Sequence, residues 1–208
     1  MAGTQGNPTR MERTRLKKKL VTAQRGHKLL KDKRDELMRQ FLDRVRENKA
    51  LREEVEAALK AANGDFMLAR AGMPDEMLNT ALLAPKQEVS ISAGTQNVMS
   101  VEIPDFDFKT RTPDPNDIYS YGFAFTTGDL DDAIRSLSAV FPKMLKLAEV
   151  EKSCQLMAAE IEKTRRRVNA LEHVMIPELQ ENIKYITMKL DENARSTQIR
   201  LMKVKDMM

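Results

Sequence analysis

The chain has 208 residues, of which 41% are hydrophobic, 32% charged and 5% aromatic, with no tryptophan. Its single cysteine, Cys154, excludes a disulfide scaffold and any cysteine-rich zinc module. No apolar run approaches the ~18 residues of a membrane span, and the opening Met-Ala-Gly-Thr-Gln-Gly-Asn-Pro lacks the apolar core of a signal peptide, so a soluble intracellular chain is expected.

The formal net charge of +4 conceals a segregation. Arg10 to Arg34 holds eleven Lys/Arg against Glu12 and Asp32, a net +9. Pro85 to Asp132 holds nine acids against three bases, and Arg195 to Met208 four bases against Asp206. Both ends are basic and the middle is acidic, unlike a uniformly solvated surface.

In chain order, residues 1–9 are expected to be a flexible N-terminus. Residues 10–71 read as one long helix. Apolar positions recur at alternating steps of three and four: Leu16, Leu20, Ala23, Leu30, Leu37, Phe41, Leu51, Val55, Ala58 and Ala62, with His27, Arg34, Arg44 and Asn48 as the polar exceptions. That alternation is a coiled-coil seam rather than the broad stripe of a globular helix. At about 1.5 Å per residue, the first fifty or so residues make a rod of roughly 80 Å.

Residues 72–128 form a central region broken by prolines and rich in aromatics. A short helix is predicted over about 74–84, with proline near its first turn. Period-two alternation over 87–92 and 98–103, with Ala93-Gly-Thr-Gln-Asn97 as the turn, predicts a β-hairpin over about 87–103. The stretch 104–128 reads as a loop pinned by Phe106, Phe108, Tyr119, Tyr121, Phe123 and Phe125.

Residues 129–208 read as the second long helix, capped by Thr126 or Thr127, with Asp129, Asp131 and Asp132 in its first turn. Pro142 is expected to kink or restart it. Its seam runs Leu147, Val150, Cys154, Met157, Ile161, Thr164, Val168, Leu171 and Met175. Three consecutive steps of four then lead from Leu171 through Met175 and Leu179 to Ile183, before Ile186, Leu190, Ala194, Thr197, Leu201 and Val204. Consecutive fours are a stutter, and Pro177 inside it predicts a local bend.

The expected fold is therefore dominated by α-helix: a long antiparallel two-helix coiled coil, with a small β-hairpin and short helix in its central insertion. Folding the chain with flush ends sets Glu47, Glu53 and Glu54 against Arg165, Arg166 and Arg167. It also gathers Arg10, Arg13, Arg15, Lys17, Lys18, Lys19, Arg25 and Lys28 beside Arg200, Lys203 and Lys205. A cationic cluster at a helix N-terminus opposes the macrodipole by a few tenths of a kcal/mol per charge, so this end is expected to meet an anionic partner.

No catalytic constellation emerges. There is no Gly-x-x-x-x-Gly-Lys-Ser/Thr phosphate loop. His27 and His173 lack companions at metal-ligand spacing, His27 reading as a tolerated polar seam residue and His173 as a surface one. Cys154 reads as a seam thiol without a neighbouring base. Neither a cofactor nor a metal is expected, and the chain is not expected to be an enzyme.

Two stretches, Asn7-Pro-Thr-Arg-Met-Glu-Arg-Thr-Arg-Leu-Lys-Lys-Lys-Leu and Arg25-Gly-His-Lys-Leu-Leu-Lys-Asp-Lys-Arg-Asp-Glu-Leu-Met, resemble the opening of the D subunits of V-type and A-type rotary ATPases. Leu145-Lys-Leu-Ala-Glu-Val-Glu-Lys, Glu162-Lys-Thr-Arg-Arg-Arg-Val-Asn-Ala-Leu-Glu and Ile176-Pro-Glu-Leu resemble the C-terminal signature of that family. The resemblance implies a non-catalytic central rotor shaft, one copy per complex, coupling ATP hydrolysis or synthesis to H⁺ or Na⁺ transport. It further implies that the paired termini enter a catalytic hexamer of A and B subunits. The F subunit would dock on the side of the shaft, and the opposite end would seat on the funnel-shaped C (or d) subunit above the membrane ring. The implied location is cytoplasmic and peripheral to the membrane, without insertion into it. Two other classes share parts of the pattern. A prefoldin-like chaperone subunit has shorter helices with apolar tips, and a basic coiled-coil nucleic-acid binder would carry stacking aromatics among its cations, whereas Phe41 is the first aromatic here.

Overall fold

The computed structural model describes residues 7–112, 114, 117–122, 124 and 126–208. The elements are α1 (Arg10–Gly72), α2 (Asp75–Leu82), β1 (Val89–Val98), β2 (Val101–Thr110), α3 (Gly128–Ala170), a π-helical turn (Leu171–Met175) and α4 (Ile176–Asp206). Residues 1–6 of the expected flexible N-terminus, and Phe123 and Phe125 of the aromatic loop, lie outside the described residues.

Thr9 starts α1: its hydroxyl accepts the Glu12 N–H at 3.2 Å and its carbonyl accepts the Arg13 N–H at 3.1 Å. The helix passes through Gly26 and Gly64 and ends at Gly72, where Met73 and Pro74 follow. Pro74 is the N-cap of α2, its carbonyl accepting the N–H groups of Met77 and Leu78. At α3 the cap is the Thr127 carbonyl, which accepts the Leu130 N–H; the Thr127 hydroxyl is buried without a partner. The expected restart at Pro142 does not occur, since α3 runs unbroken from Gly128 to Ala170.

The hairpin differs from expectation. Its turn is Met99-Ser100, both at positive φ (51° and 69°), not Ala93–Asn97, and β2 extends to Thr110 through part of the expected loop. Positive φ at both central residues suits the right-handed twist of the strands, and the Asn97 side chain holds the turn by accepting the Ser100 N–H at 3.0 Å. Val98 pairs with Val101 across the turn, so alternation along the ladder leaves Pro104, opposite Thr95, at a place where no cross-strand N–H is needed. Past the last pair, the Gln87 amide donates to the Thr112 carbonyl and its oxygen accepts the Thr112 N–H.

The chain divides into two compact units, Met1–Leu37 with Ile161–Met208, and Met38–Glu160. In the second unit the helices run antiparallel: Arg52 pairs with Glu151 at 3.5 Å, Glu54 with Lys143, and Ser136 donates to Asp65 at 3.2 Å. Ala69, Met73, Leu78 and Leu130 form its core where α1, α2 and the start of α3 meet, flanked by Phe66, Ala81, Tyr121 and Ile134. Tyr121 donates to Asp131 at 2.6 Å and stacks edge-on against Tyr119, whose hydroxyl accepts from Arg135. Burial first, then the bond to Asp131, raises the Tyr121 pKa, so this phenol stays protonated.

In the first unit, His27 meets Glu172 at 3.2 Å, and α1 residues between Arg10 and Ala23 line one groove together with Met175 and Leu179, the helices again antiparallel. The twelve-residue advance from Leu171 to Ile183 explains the π-turn. In an unbroken α-helix twelve residues at about 100° each end about 120° off the starting face. One wide turn takes up a single surplus residue and restores the face. Pro177 places the wide turn, because it has no N–H and its ring would clash with the His173 carbonyl in a regular turn. The Ile176 N–H accordingly reaches back five residues to the Leu171 carbonyl. The run of steps of four is thereby corrected: Met175 turns out, 49% exposed, and Ile176 takes the half-buried place.

Candidate functional site

Burial defines what the paired helices hold inside and what they leave for partners. Leu37, Val55, Met157, Ile161, Val168 and Ile186 are buried. Leu16, Leu20, Leu30, Phe41, Leu51, Leu147, Cys154, Leu171, Ile183 and Leu190 are half-buried. Desolvation pushes the Cys154 thiol pKa up, which keeps it a thiol. His27, at a seam position, is 21% exposed and bonded to Glu172; this bond holds the Glu172 carboxyl below its usual range. His173 is exposed.

The seam does not continue to the end of α4. Ala194, Leu201 and Val204 are exposed, as are Ile199 and Met202. Counting back from His27 opposite Glu172 along antiparallel helices sets Arg10, the first residue of α1, opposite a residue near about 189, so α1 offers no residue to cover positions this far along α4. Flush ends are therefore not the register of this unit.

The same shift changes the acidic pairing. Flush ends would give Glu47, Glu53 and Glu54 the partners Arg165, Arg166 and Arg167. Instead Glu47 pairs with Arg44 at 3.0 Å, Glu53 with Lys49 at 3.8 Å and Glu54 with Lys143, while Arg166 pairs with Glu162 one turn away. Arg165 and Arg167 are exposed. Such surface pairs contribute ~0–1 kcal/mol each and do not fix register by themselves.

The basic residues of both ends sit in one unit. Arg10, Arg15, Lys17, Lys18, Lys19, Arg25 and Lys28 on α1, and Arg200, Lys203 and Lys205 on α4, belong to it, most of them exposed, and Arg13 is half-buried. Arg15 pairs with Glu12 at 3.4 Å; among the described residues none of Lys17, Lys18 and Lys19 is tied to a carboxylate. Arg10, Arg15, Lys18 and Lys19 rim a shallow groove of about 1020 Å³ floored by Met11, Met175 and Leu179. The sequence signal for the cations is their density, whereas the apolar floor is hidden because the heptad spacing assigns Met175 to the seam.

A second groove, of about 860 Å³, lies in the other unit between the hairpin base and α3, lined by Val89, Phe108, Ile118, Leu137 and Phe141. Beside it, Lys86 and the Thr112 hydroxyl both bind Asp117 and lower its pKa, Lys86 more strongly. Among the described residues no cluster of His, Cys, Asp or Glu could hold a metal ion, and no helix is long and apolar enough to cross a membrane. What the surface does offer is exposed charge and apolar area.

A family model for the D subunit of ATP synthase matches residues 12–206. The chain is similar to the V-type ATP synthase D subunit of Acetivibrio thermocellus, at 64% identity over 208 residues that cover all of this chain and 94% of the relative. It is 62% identical over 207 residues to the protein of the same description from Clostridioides difficile, covering 93% of that relative. The one from Clostridium novyi is 57% identical over 209 residues, with 97% of the relative covered.

Proposed function

The chain belongs to the family of ATP synthase D subunits, and from that premise we propose that it is the non-catalytic central shaft of a V-type rotary ATPase, turning inside a catalytic head to couple ATP hydrolysis or synthesis to ion transport. The observation that carries this reading is that the match extends over both long helices, the two elements from which a shaft is made. A shaft must be continuously hydrogen-bonded, and α1 and α3 provide uninterrupted helices of 63 and 43 residues. It must also present different faces to chemically similar catalytic sites as it turns, and two helices of unlike charge satisfy that need.

The basic ends, Arg10–Lys28 together with Arg200, Lys203 and Lys205, are the proposed contact with a hexamer of A and B subunits. Long, flexible Lys and Arg side chains suit a contact that must slide, because they keep favourable geometry over many orientations. The F subunit is proposed to bind the side of the shaft, and the funnel-shaped C (or d) subunit to hold the end opposite the basic one. One copy serves each complex, peripheral to the membrane.

The test is purification of the native complex through a tag on this chain, with an ATPase head expected to copurify. Lys17→Glu, Lys18→Glu and Lys19→Glu together should weaken association with the head, and the loss should be greatest at low salt, where exposed charges are least screened. Association unchanged at every ionic strength would sink the proposed contact.

A further inference from the structure

The π-turn sits where the sequence offers two ways of filling one place. Val174, Met175 and Ile176 are consecutive apolar residues between Leu171 and Leu179. Placing Met175 in the seam gives steps of four and four across the gap; placing Ile176 there gives five and three. In the structure Ile176 is half-buried and Met175 and Val174 are exposed, at 49% and 61%. The Met175 and Ile176 side chains are both large enough to fill the same gap, and the unbranched Met175 adapts readily to its shape. Pro177 keeps the surplus residue in this neighbourhood, and within it a wide turn can shift by exchanging one carbonyl partner at a time.

One contact marks the observed arrangement. His27 Nε2 and Glu172 Oε2 are 3.2 Å apart, joining the middle of α1 to the second residue of the wide turn. Rotating that turn to bring Met175 inward would carry Glu172 around the helix and away from His27. His173 and Lys31 are the other charged or titratable groups acting on Glu172, and neither is bonded to it.

We propose that Leu171–Met175 is a two-position register switch, held with Ile176 inward and Met175 outward by the His27–Glu172 contact. When the contact is broken, the start of α4 rolls so that Met175 enters the seam and Ile176 leaves it. Such an element lets α4 twist against the helix before it without breaking the pairing with α1. It is distinct from bending, because one apolar side chain replaces another at the seam.

The experiment uses the full chain with Cys154→Ser, so that one introduced thiol is the only one to react. Met175→Cys and Ile176→Cys are made separately, each with and without Glu172→Gln and with and without His27→Ala, and the rate of alkylation is measured. With the contact intact, the thiol at 175 reacts faster than the one at 176. Breaking the contact from either side should shift the two rates in opposite directions by about threefold or more, because one population gains what the other loses. Rates that rise together would mean simple fraying and would overturn the proposal; so would rates that do not change. Circular dichroism of each variant shows whether the helices persist, and repeating the labelling in the assembled complex tests the switch where it would operate.

Discussion

The exposed end of α4 makes a sharp prediction when set against its buried middle. Ile186 is 1% exposed and Leu201, on the same helix and assigned from sequence to the same seam, is 65% exposed. Ile186→Ala removes three carbons; at ~0.8 kcal/mol per buried methylene this is about 2.4 kcal/mol, and the cavity left behind raises it to about 3. A two-helix interface lets water reach part of that cavity, which keeps the cost at the low end of the usual range. Leu201→Ala should change stability by less than about 0.5 kcal/mol, since little area is lost and alanine is at least as good a helix former. Urea unfolding followed by far-ultraviolet circular dichroism is the assay. With a slope of about 2 kcal/mol per molar, the first substitution lowers the midpoint by about 1.5 M and the second leaves it in place. Equal effects would refute the reasoning, because they would mean that the last turns of α4 are packed in the isolated chain or that Ile186 is not.

Two further outcomes follow from local chemistry. Replacing Met99-Ser100 by Asn-Gly should stabilise the hairpin by about 1 kcal/mol, since these residues accept positive φ at both positions; slower amide exchange along β1 and β2 would register it. Asp117 should titrate below the ordinary aspartate value of about 3.9, with Lys86→Ala moving it back up. The sign follows from linkage: a depressed folded pKa gives stability that is present above the unfolded value and is lost as pH falls through the folded one, so the Lys86–Asp117–Thr112 contact should release only in acid. Carboxyl chemical shifts against pH measure both, and an Asp117 midpoint indifferent to Lys86 would count against the contact.

The helices are legible in the sequence because their signals are redundant. Thr9 and Glu12 mark the start of α1, and Gly72 followed by Pro74 marks its end. The hairpin is harder to read. Val101 and Ile103 are buried on one face of β2, whereas Phe106, which is half-buried, and Phe108, which is more exposed, point to the other face. The change of phase at Pro104-Asp105 looks like the end of a strand, although the ladder runs on to Thr110. Ala93-Gly-Thr-Gln-Asn97 has turn composition but lies within β1, and Met99-Ser100, with neither glycine nor asparagine at its centre, makes the turn. The half-buried tyrosines of the central region leave no periodic trace at all, because what places them is the bond from Tyr121 to Asp131 and the core beneath.

Helix register is illegible for a deeper reason. A repeat of three and four maps onto itself when one helix slides by a whole heptad, so the seam alone accepts several alignments, of which flush ends are one. Individual contacts report which alignment the structure adopts: Arg52 with Glu151, Asp65 with Ser136, and His27 with Glu172. The basic ends gain meaning from this correction. With no α1 residue to cover them, Leu201, Met202 and Val204 expose an apolar strip on the same helix end as Arg200, Lys203 and Lys205. A purely electrostatic contact with the proposed head would fade steadily as salt rises, whereas the apolar strip adds a component that salt does not screen. Association should therefore level off at high salt rather than vanish. Replacing Leu201 and Val204 by serine should remove the plateau while leaving the low-salt slope, and a slope that changes instead would assign the contact to the cations alone.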